Sequence, residues 1–254
     1  MPTCVAVLGL GEAGGAITAD LVAAGARVRA YDPKVVAPAG TAGCAGEAEA
    51  VTGAELVLSV NSARDAPIAL EQAAPGLGPG TVWADLNTGS AALKRALAEQ
   101  LASDCEFVDV ALMSPVPGRG IRTPMLASGA GAGRYAELVR PLGATVEVLT
   151  GPPGEAATRK LLRSVFYKGL AAAVVEALTA AHEAGLEDWL RENIATELAG
   201  FDRATVQRLE RGSRQHALRR SHEMAAATEL LTDLGVPARI AAASRDLLTE
   251  LATE

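Results

Sequence analysis

The chain has 254 residues, of which 49% are apolar and 3% aromatic, and it carries a formal net charge of −7. That length suits two domains, the apolar share excludes a disordered chain, and the acid excess excludes a general nucleic-acid binder, which needs a basic footprint. Cys4, Cys44 and Cys105 are odd in number and far apart, so they read as buried thiols of a reducing compartment and not as a disulfide framework or a zinc knuckle.

The opening Met1-Pro2-Thr3-Cys4 lacks the basic region of a signal peptide. No stretch is long and apolar enough to span a bilayer without charges. The expectation is a soluble cytoplasmic protein with neither membrane nor nucleic acid as partner. Residues 3–9 form a continuous apolar run, the signature of a strand buried on both faces of a parallel sheet. A helix is predicted over 12–24, stopped by Gly25, and a second strand over 27–31 ends at Asp32-Pro33. Further strands are predicted at 55–60, 80–84, 105–111 and 144–149, with helices at 65–74, 90–102 and 132–140 between them. Strand alternating with helix means an α/β doubly wound Rossmann sheet.

The pattern changes at Gly151-Pro152-Pro153-Gly154. Beyond it nothing reads as a strand. A single helical pattern runs from Glu155 to about Ala184, some 45 Å at 1.5 Å per residue. Helices follow at 187–198, 202–219, 221–234 and 238–252. Two domains are therefore expected: a Rossmann domain over 1–152 and a smaller all-helical domain over 153–254.

Gly9-Leu10-Gly11-Glu12-Ala13-Gly14 fits G-x-G-x-x-G, leaves a predicted strand and opens a predicted helix, and Asp32 lies 21 residues beyond Gly11 at the end of the next strand. The first glycine permits the tight turn, the second lets the backbone approach a pyrophosphate, and the third lets helix and strand pack closely. The helix N-terminus then offers N–H groups and a positive dipole end to the phosphates. Asp32 is positioned to accept from ribose hydroxyls. This favours NAD, with NADP as the alternative because Lys34 lies beside it.

With these residues in place, the chain resembles the β-hydroxyacid dehydrogenase superfamily, which includes hydroxyisobutyrate dehydrogenase, glyoxylate/succinic semialdehyde reductase and, more distantly, phosphogluconate dehydrogenase and imine reductases. The resemblance covers nearly the whole chain and is nearest to a phosphogluconate-dehydrogenase-like branch. It rests on the opening Val-Leu-Gly-Leu-Gly-Glu-Ala-Gly-Gly and on four later blocks. Ser59-Val60-Asn61-Ser62 corresponds to a strand end over the adenosine-ribose side of the cofactor. Asp85-Leu86-Asn87-Thr88 is similar to the family's Asp-x-Ser-Thr segment near the nicotinamide, with Asn87 in the place of serine. The resemblance thus implies that Asn61, Ser62, Asn87 and Thr88 join the glycine loop in holding the cofactor.

The third block, Asp109 to Pro115, corresponds to the family's substrate loop, but Met113 and Ser114 stand where serine and glycine are usual. Arg119 and Arg122, which follow, are candidate partners of a substrate carboxylate, and Ser114 and Thr123 are candidate substrate hydrogen-bonders. In the fourth block, Gly154 to Ser164, Lys160 falls on the family's catalytic lysine, while Ala156 replaces a glycine and Ser164 an asparagine. Lys160, Ser164, Tyr167 and Lys168 share one helix face, and Lys168 is the reserve if the register slips. A catalytic lysine must lose its proton readily, which burial beside other cations promotes. His222, on a later helix, is a further candidate for the substrate cleft; His182, His216 and His222 have no metal-ligand spacing.

These residues imply an NAD(P)-dependent oxidoreductase acting on a small hydroxy acid or its carbonyl partner, with Lys160 as general acid and base. An imine reductase and a non-catalytic dinucleotide sensor are the competing readings. A decarboxylating phosphogluconate dehydrogenase has a far longer helical domain. The apolar flanks of the long helix (Leu161, Leu162, Val165, Phe166, Leu170, Val174) predict a homodimer.

Overall fold

The computed structural model describes residues 2–254. The chain divides into two compact units, Met1–Arg163 and Ser164–Glu254.

The first unit is a sheet of eight strands in the order β3-β2-β1-β4-β5-β6-β7-β8. Its strands are β1 (Cys4–Leu8), β2 (Arg27–Tyr31), β3 (Ala42–Gly43), β4 (Leu56–Ser59), β5 (Val82–Asp85), β6 (Glu106–Leu112), β7 (Met125–Ser128) and β8 (Val146–Val148). The intervening helices are α1 (Glu12–Ala23), α2 (Glu47–Val51), α3 (Ala66–Ala73), α4 (Ala91–Gln100) and α5 (Ala132–Val139). All pairings are parallel except β6 with β7. The expected all-parallel sheet thus ends in a reversed pair: β7, where no strand was expected, runs against β6, and β8 runs with β7. α2 and the two-residue β3 also fall in a stretch where no element was expected.

The strand sequences dictate a core on both faces, because successive side chains point to opposite sides. Val5, Val7, Leu56, Leu58, Val82 and Val108 pack toward Ile17 and Leu21 of α1 and Tyr135 and Val139 of α5. Ala6, Leu8, Val57, Trp83 and Phe107 pack toward Val51, Leu70 and Leu97 of the other layer. The order reverses direction between β1 and β4, so a crevice opens at the carboxyl ends of those strands, where open α/β sheets bind ligands. Cys4 is buried, whereas Cys44 and Cys105, expected to be buried, are only partly so; Cys44 follows the two-residue edge strand β3, and Cys105 lies in the turn that leads into β6.

The helix α6 (Glu155–Glu183) begins in the first unit and continues into the second, where α7 (Glu187–Ala199), α8 (Arg203–Gln215), α9 (Ala217–Asp233) and α10 (Arg239–Leu251) follow. Gly185, at φ +72°, ends α6 in the left-handed conformation that favours glycine. Asp202 opens α8 by accepting from Thr205 N at 2.9 Å. The expected break near residue 220 lies instead at His216, because Gly212 and Ser213 weaken the end of α8 and Ala217 starts a fresh helix. The core of this unit is small: Ala180, Leu231, Val236 and Ala241. Among the described residues no helix is long and apolar enough to cross a membrane.

Candidate functional site

β1 ends at Leu8, and the chain turns at Gly9 with φ +98°. A Cβ there would lie 2.5 Å from Val60 O and 2.6 Å from Asn61 Oδ1, so the β1 turn touches the end of β4 only because residue 9 has no side chain. Gly14 is as constrained: its Cβ would lie 1.9 Å from Gly9 O. Gly11 is different. A Cβ built on it meets no protein atom within 4 Å, and α1 begins after it with no side-chain cap on its first-turn N–H groups. Glu12 and Ala13 occupy that first turn. An open, uncapped helix start flanked by two glycines that hold strand and helix together fits a dinucleotide pyrophosphate.

Asp32 leaves the end of β2 and reaches across to this loop. Its Oδ2 accepts from Leu10 N at 2.8 Å, and its Oδ1 accepts from Lys34 N at 2.7 Å and Val35 N at 2.9 Å. Burial pulls this carboxyl upward, but the three backbone donors and the Lys34 charge outweigh it and hold its pKa below the ordinary value. The Leu10 amide is therefore committed to Asp32, while the carboxylate keeps further lone pairs for a ligand. Asp32, Lys34, Asn61 and Ser62 line, with Gly9 and Gly11, one cavity of about 330 Å³. Asn61 Nδ2 donates to Ser59 Oγ at 3.2 Å. Ser62 Oγ donates to Asp65 Oδ2 at 2.7 Å, at the entry to α3.

A polar row that the sequence reading did not anticipate crosses the sheet beside this crevice. Ser59, Asp85, Asp109 and Ser128 are register neighbours on β4, β5, β6 and β7, and all are fully buried. They continue the face of Val57, Trp83 and Phe107 by one step of the two-residue period. Lys94 of α4, itself 1% exposed, fills the gap between the two carboxylates, 2.6 Å from Asp85 Oδ2 and 3.2 Å from Asp109 Oδ1. It also donates to Asp85 O at 2.8 Å. At the far end Asp109 Oδ2 accepts from Gly154 N at 3.0 Å and Ala157 N at 2.9 Å, and Ser128 Oγ accepts from Ala156 N at 3.1 Å. These contacts cap the first turn of α6. At the near end Asn87, 5% exposed, donates Nδ2 to Ser59 Oγ at 3.1 Å and to Asp85 Oδ1. Thr88 beside it is exposed. A charged residue inside an otherwise apolar strand, as in Val82–Asp85 and Glu106–Leu112, was the available signal, since a buried carboxylate needs a partner.

The remaining candidates scatter. Ser114 Oγ is enclosed without a hydrogen-bond partner. Arg119 is exposed. Arg122 lies 3.7 Å from Asp20 of α1, whose Oδ2 also accepts from Ile121 N at 3.0 Å. Thr123, expected to offer a hydroxyl to substrate, is fully buried and donates to Gly120 O at 2.8 Å; the tight turn that needs Gly120 at φ +53° draws that hydroxyl inward. Lys160 stands half-buried in the second turn of α6, close behind the capped first turn. In the helical unit, Ser164 is half-buried, and Lys168 and His222 are exposed.

Residues 4–120 match the NAD-binding domain of 6-phosphogluconate dehydrogenase, and residues 181–251 match DUF1932, a domain of unknown function. An uncharacterized 28.5 kDa protein of Methanothermus fervidus is 31% identical over 111 residues, which span 42% of its own length. A conserved hypothetical protein of Sinorhizobium meliloti 1021 is similar along nearly the whole chain: 30% identity, TM-score 0.63, covering 98% of this chain and 88% of that one. A conserved protein of unknown function, described as structurally similar to 3-hydroxyacid dehydrogenases, is 27% identical, with TM-score 0.63 and coverages of 98% and 97%. An imine reductase from Aspergillus terreus, in complex with NADPH4 and dibenz[c,e]azepine, shares the fold with TM-score 0.81 at 16% identity, over 100% of this chain and 94% of that one. The chain belongs to the β-hydroxyacid dehydrogenase-like superfamily of oxidoreductases and carries its NAD(P)-binding domain.

Proposed function

We propose that this protein is an NAD-dependent oxidoreductase acting on the CH–OH group of a small hydroxy acid, or on the matching aldehyde or keto compound, with Lys160 moving the proton. The observation that carries this reading is the glycine-lined, uncapped start of α1, tied to Asp32 through the Leu10 amide. The dinucleotide, when bound, supplies or takes the hydride. The chain's own side chains do the rest. The first-turn amides of α1 hold the pyrophosphate, and Asp32 takes the ribose hydroxyls. A ribose phosphate would meet that carboxylate, whose lowered pKa keeps it ionised; this favours NAD, with Lys34 as the residue that would admit NADP. Asn61 and Ser62 bear on the adenosine half, and Asn87 and Thr88 on the nicotinamide half.

Lys160 accepts the hydroxyl proton during oxidation and returns it during reduction. Ser164, with Lys168 and His222 as further contributors, orients the substrate. Ser114 brings a hydroxyl with no protein partner. Arg119 is free to reach a carboxylate, and the 3.7 Å contact of Arg122 with Asp20 is loose enough to be exchanged for one. A second copy of the chain is the partner proposed for the exposed faces of the helical unit, where Val165 is 74% and Val175 66% exposed. The fold shared with imine reductases supports a second reading, in which the reduced bond is C=N.

The test is a panel of hydroxy acids, their carbonyl partners and cyclic imines, followed by dinucleotide absorbance, with calorimetry of NAD and NADP binding beside it. Turnover of a hydroxy acid with NAD is expected. Lys160→Ala should lower that turnover by about 10²–10⁴-fold while leaving dinucleotide affinity unchanged. Unaltered turnover removes Lys160 from the reaction. Turnover of imines alone replaces the substrate class, and tight dinucleotide binding without any turnover recasts the protein as a sensor.

A further inference from the structure

Buried ionic groups are costly unless each is paired, and the Lys94–Asp85–Asp109 cluster sits at the carboxyl edge of the sheet with no part in the proton transfer proposed above. Its effect on Asn87 is specific. A carboxylate can only accept a hydrogen bond, so Asp85 Oδ1 requires the Nδ2 face of the Asn87 amide, and Ser59 Oγ takes the other Nδ2 proton at 3.1 Å. The amide has no freedom left to flip. Its Oδ1 is thereby turned away from the row, and it is buried with no hydrogen-bond partner. An orphaned acceptor in a 5% exposed side chain is a group waiting for a donor.

Topology says which donor. Asp32 stands at the end of β2, on one side of the glycine loop of β1, and β4 and β5 lie on the other side. A dinucleotide with its adenosine ribose on Asp32 and its pyrophosphate on α1 has its remaining half on the β4–β5 side. The donors in that half are the ribose hydroxyls and the carboxamide NH₂ of the nicotinamide, and the carboxamide is the planar amide whose N–H can be removed without touching the rest of the ligand. We infer that the buried Lys94–Asp85 pair is a positioning element that fixes the Asn87 amide so that its Oδ1 receives the nicotinamide carboxamide N–H. This rests on the dinucleotide reading given above. Lys94 and Asp85 act only through Asn87; Asn87 touches the ligand.

The experiment compares, by calorimetry, NAD with the analogue whose carboxamide is replaced by an acetyl group, which keeps the carbonyl and loses both N–H donors. Wild type should prefer NAD by about fivefold to tenfold, the worth of one buried hydrogen bond. Asn87→Leu, which keeps the volume and removes the acceptor, should bring the two ligands within about twofold. Asp85→Asn keeps the Lys94–Asp109 pair and the shape of the row. Its new amide donates where the carboxylate accepted, which releases Asn87 to turn its Nδ2 outward, and it too should abolish the preference. Thermal melting checks that each variant is folded; Asn87→Leu reads the contact and Asp85→Asn the positioning role, and an Asp85→Asn variant that does not fold is replaced by Lys94→Met, which should abolish the preference in the same way. A preference that survives Asn87→Leu, or a wild type that binds both ligands equally, overturns the contact. A preference lost in Asn87→Leu but kept in Asp85→Asn overturns the positioning role. Absence of heat with either dinucleotide overturns the cofactor reading itself and this inference with it.

Discussion

The two units of this chain handle their apolar side chains in opposite ways. In the sheet unit the central strands are covered on both faces, and even the charged groups that enter the core, Asp85, Asp109 and Lys94, are brought into contact with one another. In the helical unit, among the described residues, the buried core cluster comes down to Ala180, Leu231, Val236 and Ala241, while Val165, Val175, Trp189 and Val206 stay more than three-fifths exposed. The difference is one of completeness. The sheet unit has an interlocked interior on both faces of its strands, whereas the helical unit leaves large apolar side chains at its surface.

The sharpest way to break this comparison is through the glycines, because the sheet unit has no slack. Gly14→Val forces a side chain into backbone 1.9 Å away and should destabilise the fold by about 3 kcal/mol or more, seen as a melting midpoint lower by about 10 °C. Gly11→Val meets no protein atom within 4 Å. It should melt with wild type while losing at least about 100-fold in dinucleotide affinity, since its side chain fills the approach of the pyrophosphate. Equal melting of the two variants would show that the close packing of strand and helix is not what Gly14 is for.

The complementary test is on the helical unit. Val165→Asp with Val175→Asp places two charges on faces that a second copy would cover. The mass measured by light scattering should fall from dimer to monomer, with association weakened by at least about 100-fold, and dinucleotide affinity should not change. A monomeric wild type would remove the second copy as the cover of these faces, and the comparison between the units would need another explanation.

What was legible in the sequence follows the same division. The glycine loop and Asp32 could be read because their roles are local: a turn, a close approach and a helix start all lie within a few residues. Fully apolar strands were legible as short continuous apolar runs, and the long helix as one unbroken helical pattern. β7 was not, because Met125–Ser128 is four residues long, directly follows Pro124 and pairs antiparallel, so neither length nor alternation marked it. Lys94 was hidden for another reason. On an amphipathic helix a lysine reads as solvated, and only the tertiary register that sets Asp85 beside Asp109 reveals why it is inside. The failure of Thr123 as a substrate contact has the same origin: a hydroxyl's direction depends on a turn whose shape is set by contact with Asp20.

The smallest effect is expected where the helical unit does use a charge precisely placed by its fold. Glu176 of α6 accepts from Arg239 N at 2.7 Å, Ile240 N at 2.9 Å and Ala241 N at 2.8 Å, and so caps the start of α10. Burial raises its pKa, but the three helix-start donors and the Arg239 charge outweigh burial and leave it below its ordinary value of 4.5. A group with a depressed folded value stabilises the fold fully above its unfolded value and stops doing so as pH falls through the folded one. Glu176→Gln keeps an acceptor and loses the charge. At neutral pH it should cost about 0.5–1 kcal/mol, discounted for solvent screening, or a melting difference of roughly 2 °C. That difference should shrink as the pH is lowered below 4.5 and shrink also at high salt. A gap that stays constant through acid would mean that shape and not charge holds α10 in place. The same acid titration acts on Asp32, whose pKa is lowered by backbone donors in the same way. There the loss should appear in dinucleotide affinity, because Asp32 faces a ligand cavity and Glu176 faces a helix.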